Sequence, residues 1–159
     1  MNCTSCGTVL GHAQPADLPY GGRLGVILVA VPAHHCPVCG DIEYVIPQIE
    51  ALDLAIAAAL VAKPERLTGG EIRFLRDMLG WSGKAMARRI GVAPETVSRW
   101  ENGALTIGET PDKLLRMFVI HDKAIEPLKL ESFDDVAKAE GEPLVLRLAL
   151  AERWHARAA

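Results

Sequence analysis

Apolar and polar positions change period twice along this chain. In the first 45 residues the apolar run "RLGVILVAVPAHHC" is rich in β-branched residues and predicts a strand, entered through the turn chemistry of "PYGG". "DIEYVI" predicts a second short strand. From Pro47 to Ala62 the spacing becomes helical, with Ile49, Leu52, Ile56 and Leu60 on one face. "AKPE" breaks that pattern and reads as a linker.

From Thr68 the punctuation is clear. "TGGE" fits a capping box, with Thr68 as N-cap and Glu71 reaching back. The helix that follows carries Ile72, Leu75 and Leu79 on one face and ends at Gly80. Ser82 caps a second helix running to Ile90, with Gly91 beyond its end. Pro94 opens a third helix, "PETVSRWEN", and Thr110-Pro111 opens a fourth, to about Lys123. Residues 126–143 are acidic and turn-rich. In "LVLRLALAERW" the residues Leu144, Leu146, Leu148 and Leu150 alternate as in a strand, although Leu146, Leu150 and Trp154 also suit a helix; the strand is the reading adopted. A row of leucines on one strand face needs a cover: the strand pairs with its symmetry mate or another strand, or the segment packs as a helix on the N-terminal module; the first is the reading adopted, and the tail is expected to contribute to dimerisation.

The pattern predicts an α+β chain in three parts. Residues 1–63 form a small cysteine-knuckle domain with short strands and a helix, 64–125 an all-α domain, and 126–159 a C-terminal extension with a possible dimerisation strand. The longest apolar run, "ALDLAIAAALVA", contains Asp53 and is too short to span a membrane. The N-terminus shows no secretory signal, so a cytoplasmic location is expected. Net charge is −3, but it is unevenly spread: residues 65–125 carry 10 basic and 8 acidic side chains, and the flanking segments are acidic. That distribution permits a nucleic-acid contact in the middle of the chain without requiring one.

All four cysteines fall in two pairs, Cys3/Cys6 and Cys36/Cys39, each C-x-x-C followed by glycine. Two intervening residues let both thiolates of a knuckle face one ion, and Gly7 and Gly40 let backbone N–H groups approach the sulfurs. Four soft thiolates suit one structural Zn²⁺ per chain with no open coordination position. The alternatives are a redox dithiol, for which the usual βαβ context is missing, or unligated buried cysteines. His34 and His35 adjoin Cys36 and could replace a thiolate as ligand, whereas His12, His121 and His155 show no partner pattern. A knuckle segment of about 45 residues buries too little to fold without its ion.

"GKAMARRIGVAPETVSRWENG" is a short helix, a glycine-containing turn and a second short helix, the helix-turn-helix arrangement. Ala87 is small where the helices cross, while Ile90, Val92, Val97 and Trp100 face inward. Glu95, Thr96, Ser98 and Arg99 remain off that face and could reach a major groove. Lys84, Arg88 and Arg89 are the nearest further cations. The chain has no G-x-S-x-G, P-loop or H-E-x-x-H, and an enzyme is not expected.

On these residues, "LRDMLGWSGKAMARRIGVAPETVSRWENG" resembles the Xre/Cro-type helix-turn-helix. Joined to "CTSCG…CPVCGD" and the intervening "LPY", the chain resembles MqsA-type antitoxins and related regulators with a YgiT-type zinc finger, over residues 1 to about 120. The resemblance implies zinc on Cys3, Cys6, Cys36 and Cys39, and a structural ion pair between Arg76 and Glu101. It implies a base contact from Arg99 and another from the position of Glu95, where the best-known member has asparagine. Glutamate accepts from cytosine N4 whereas asparagine pairs with adenine, so a different operator is implied. Gly83 stands where a glutamine is common. The function implied is a DNA-binding repressor, antitoxin-like and autoregulatory, binding a palindromic operator as a homodimer. The alternative is a zinc-domain module that neutralises a cognate toxin, with DNA binding secondary.

Overall fold

The structure, a computed structural model, describes residues 1–125, 133–150 and 153–157. Strands β1 (Gln14–Tyr20), β2 (Val26–His35), β3 (Ile42–Tyr44), β4 (Leu146–Leu150) and β5 (Trp154–Ala156) form one sheet of order β1-β2-β4-β5, with β3 also on β2. Between β3 and β4 run helices α1 (Ile49–Ala62), α2 (Gly69–Met78), α3 (Gly83–Ile90), α4 (Pro94–Glu101) and α5 (Glu109–Lys123).

The C-terminal strand does not stand apart from the N-terminal ones. β4 pairs with β2 in parallel, Val26 opposite Leu146 and Val29 opposite Ala149, and β5 folds back antiparallel on β4. Parallel neighbours need a long crossover, and here the crossover contains all five helices. The leucine row anticipated from sequence is thus covered within the chain. Leu148 is buried in the common core, Leu144, Leu146 and Leu150 pack against it, and the indole N–H of Trp154 donates to Pro47 O at 3.1 Å. The first residues of the acidic stretch, 126–132, lie outside the described residues, as do 151–152.

A short ion pair and a bulge set the sheet's register. The β1/β2 register shifts between Ala16 and Leu18, and Ala30 opposite takes a left-handed φ of 56°. Asp17 makes this conformation tolerable: its carboxylate accepts the Ala30 N–H at 3.0 Å and Arg147 Nη2 of β4 at 2.8 Å. These two contacts, the Ala30 N–H first, hold the Asp17 carboxyl below its ordinary pKa.

One hydrophobic core runs through sheet and helices, joining Leu28 and Val31 of β2 with Ile56 and Leu60 of α1, Ile72 and Leu75 of α2, and Leu115 of α5. The cysteine knuckles have a separate core of only Cys3, Leu10 and Cys36.

The "AKPE" segment is a packed junction, not a loose linker. Lys63 is buried, and its Nζ donates to Glu71 Oε2 at 2.9 Å, Arg66 O at 3.2 Å and Glu142 O at 2.7 Å. Glu71 performs the capping reach foreseen from sequence, accepting Thr68 N–H at 2.8 Å, but it also accepts Leu144 N–H at 2.8 Å. Residues 133–143 lie along the junction, with Ala137 N–H donating to Pro64 O at 2.7 Å and Arg66 N–H to Ala139 O at 2.9 Å. A lysine and glutamate this deep require mutual neutralisation and satisfied hydrogen bonds, and the returning C-terminal chain supplies part of that satisfaction.

Candidate nucleic-acid interface and metal centre

The two knuckles repeat one backbone geometry. Gly7 N–H donates to Cys3 O at 2.9 Å and Gly40 N–H to Cys36 O at 3.1 Å, and both glycines sit at φ 76°. That left-handed value is the reason for glycine after each C-x-x-C. Cys3 N–H closes on Thr8 O and Cys36 N–H on Asp41 O, each at 2.8 Å. The knuckles are also tied to each other: Thr4 N–H donates to Glu43 Oε1 at 2.8 Å, and the Ser5 hydroxyl donates to Asp41.

This geometry brings the four sulfurs together. Cys3 Sγ lies 3.6 Å from Cys39 Sγ and Cys6 Sγ 3.5 Å from Cys36 Sγ, and all four fall within 4.8 Å of one another, with no disulfide. A tetrahedral zinc–thiolate centre places its sulfurs about 3.8 Å apart, so the cluster has the dimensions to hold such an ion. Cys3 and Cys36 are buried while Cys6 and Cys39 face solvent. The Thr8 hydroxyl and backbone N–H hold the Cys6 pKa down to about 6, while, against the Asp41 backbone N–H, the neighbouring Cys36 thiol and burial push that of Cys39 up to about 12. Asp41 and Glu43 also approach Cys3, but their oxygens are engaged by Ser5 and Thr4. His34 is turned away, its Nδ1 2.7 Å from Gly11 O.

The helical segment is organised around Met86, Ala87, Val97 and Trp100, all buried between α2, α3, α4 and α5. Ser82 Oγ accepts Ala85 N–H at 3.1 Å to start α3, and Gly91 at φ 83° ends it. Gly69 sets how closely α2 approaches α4: a Cβ there would lie 2.5 Å from Glu101 O. Across the same contact Arg76 Nε donates to Glu101 Oε1 at 2.5 Å and Arg76 Nη1 to Trp81 O at 2.6 Å. Both side chains are nearly buried, and the Glu101 carboxylate raises the Arg76 pKa further. Arg76→Ala is expected to lower stability by about 2–3 kcal/mol, since it strands a carboxylate and a carbonyl; chemical denaturation measures it.

With the frame held this way, Glu95, Ser98 and Arg99 are exposed on α4, and Thr96 is half-buried beside them. Lys84 and Arg88 are exposed on α3. Arg89 is partly committed elsewhere, its guanidinium 4.5 Å above the Trp81 ring, which in turn meets Phe118 edge-on at 5.2 Å. Sequence reasoning did not single out Arg73, whose exposed guanidinium approaches Glu101 at 3.9 Å. Its position three residues before Arg76, on the same helix face, was the available signal. It also missed the buried pair Asp112–Arg116, where only the i,i+4 spacing hinted at contact.

Residues 72–110 match a family described as Helix-turn-helix, and that family is one of DNA-binding transcription regulators. No curated protein and no solved structure matches the chain. Among the described residues no helix is long and apolar enough to cross a membrane.

Proposed function

We propose that the chain is a transcriptional repressor that binds duplex DNA through α4, with Arg99 as its principal base-reading side chain. The observation that supports this best is the exposed row Glu95, Ser98 and Arg99 on a helix whose opposite face, Val97 and Trp100, is locked into the core. Thr96 borders that row. Lys84 and Arg88 stand on the preceding helix where phosphates flank a groove. One such helix reads only a few base pairs, so selective binding calls for two copies on a palindromic operator, with half-sites about 34 Å apart. The resemblance to MqsA-type regulators supports an antitoxin-like, autoregulatory role and one structural zinc held by Cys3, Cys6, Cys36 and Cys39.

A second reading gives the knuckle module a cognate toxin as partner. It is favoured by Val9 and Val38, which stand 72% and 70% exposed where no internal packing needs them.

The test is equilibrium binding to the chain's own promoter. Arg99→Ala is expected to weaken binding by about 1–3 kcal/mol and to erase discrimination at one base pair, as loss of a base contact should. Lys84→Ala should weaken all sequences alike. A folded Arg99→Ala variant with unaltered affinity and discrimination would place the reading surface elsewhere.

A further inference from the structure

The first 64 residues are acidic, yet their one exposed basic side chain is placed against the helical segment. Residues 1–64 contain only two basic side chains, Arg23 and Lys63. Lys63 is buried on Glu71, which leaves Arg23, exposed in the turn Gly22–Leu24 between β1 and β2. That turn is pressed onto α2. A Cβ on Gly70 would lie 2.6 Å from Arg23 Cβ and 3.1 Å from Arg23 O, so glycine at the start of α2 is what allows the approach.

Arg23 does not stand alone there. It shares a surface cleft of about 340 Å³ with Arg73 and Asp77. The Asp77 carboxylate is 2.7 Å from Nη1 of Arg76, a guanidinium it shares with Glu101. Arg23 has no ion-pair partner among the described residues. Among the described residues Arg73 reaches only Glu101, at 3.9 Å, a carboxylate already held by Arg76. Three arginines, Arg23, Arg73 and Arg76, thus face two carboxylates, Asp77 and Glu101, and the cleft keeps a net positive charge with both Arg23 and Arg73 exposed on it.

Glu101 is the last residue of α4, so Arg73 stands beside the end of the groove-reading helix. The loop that leaves that helix offers nothing similar: from Asn102 to Asp112 there is no lysine or arginine, and Leu105 is exposed. Duplex affinity comes largely from phosphate neutralisation, and this flank of α4 lacks cations of its own. We propose that Arg23 and Arg73 together form a phosphate clamp on duplex DNA, so that the sheet module takes part directly in DNA binding. The clamp rests on the reading of α4 as the DNA-binding helix.

A phosphate clamp carries no sequence information, so the experiment needs no known operator. The full chain is titrated into a random-sequence duplex of roughly three helical turns, about 30 base pairs, over a range of salt concentrations. Fluorescence anisotropy reports the binding. Arg23→Ala and Arg73→Ala are each expected to make the slope of log affinity against log salt shallower by about 0.9, and Arg23→Lys to keep it. Circular dichroism should show both variants folded, because both side chains are exposed. An Arg23→Ala protein with the unmodified chain's slope would overturn the clamp while leaving α4 as reader. An unmodified chain that binds no duplex at any salt would overturn both.

Discussion

Arg116→Met is expected to destabilise the chain by about 3–5 kcal/mol, the cost of stranding a buried charge. Arg116 is completely buried, and its Nε donates to Asp112 Oδ1 at 2.6 Å. Its Nη1 donates to Lys63 O at 2.5 Å and Val61 O at 3.3 Å, and its Nη2 to Glu65 O at 2.7 Å. The guanidinium thus closes the C-terminal end of α1 and fastens the junction to α5. Its removal would leave Asp112, also fully buried, with only the Leu67 N–H at 2.6 Å among the described residues. Small domains have about 5–15 kcal/mol in total, so a loss of this size shifts the denaturation midpoint strongly. Arg116→Lys should recover only part of it, because an ammonium cannot reproduce the guanidinium's spread of donors. A midpoint unchanged in Arg116→Met would show that the junction is held by packing alone.

Metal removal should have the second large effect, and it should be local. The knuckle core is Cys3, Leu10 and Cys36 alone, too small to hold its shape against four mutually close thiols. In a closed thiolate site, metal binding and folding are one free energy, about 10–16 kcal/mol in small zinc-binding peptides. β2, however, runs from the knuckles into the main core, where Leu28 and Val31 are buried. Chelation is therefore expected to erase hydrogen-exchange protection at Gly7, Leu10 and Gly40 while sparing Leu28, Leu75 and Leu148. The sequence alone suggested that the whole first 45 residues depend on the ion; the strand's anchoring in the common core narrows that region. Cys36→Ser should reproduce the chelated pattern. Protection retained at Gly7 and Gly40 in metal-free protein would contradict a metal-dependent knuckle.

The parts of this molecule that were legible in sequence are those specified locally. A C-x-x-C followed by glycine carries its turn geometry within five residues, and both knuckles take the same φ. Ser82, Gly91 and Pro94 bound α3 and α4 through contacts within a single turn of helix, so those limits could be read directly. α5 begins at Glu109, one residue before the expected start. What was not legible depends on distant chain. Lys63 looked like linker polarity because Glu142 O and the Leu144 N–H that complete its network with Glu71 come from the far end of the sequence. The β2/β4 ladder is parallel, and no turn residue announces such a pairing. Leu144 through Leu150 showed that a cover was needed, but not that β2 would be one side of it. Arg23 carried no signal at all until the fold set it against Gly70.

The central claim is that α4 reads duplex DNA. It is tested most directly by offering the purified chain a pool of randomised duplexes, recovering the bound fraction and sequencing it, with Arg99→Ala in parallel. The unmodified chain is expected to enrich an inverted repeat whose half-sites lie about one helical turn apart, and Arg99→Ala to lose at least one enriched position in each half-site. Recovery of unenriched sequence by the folded, unmodified chain, or the same enriched site from Arg99→Ala, would contradict it.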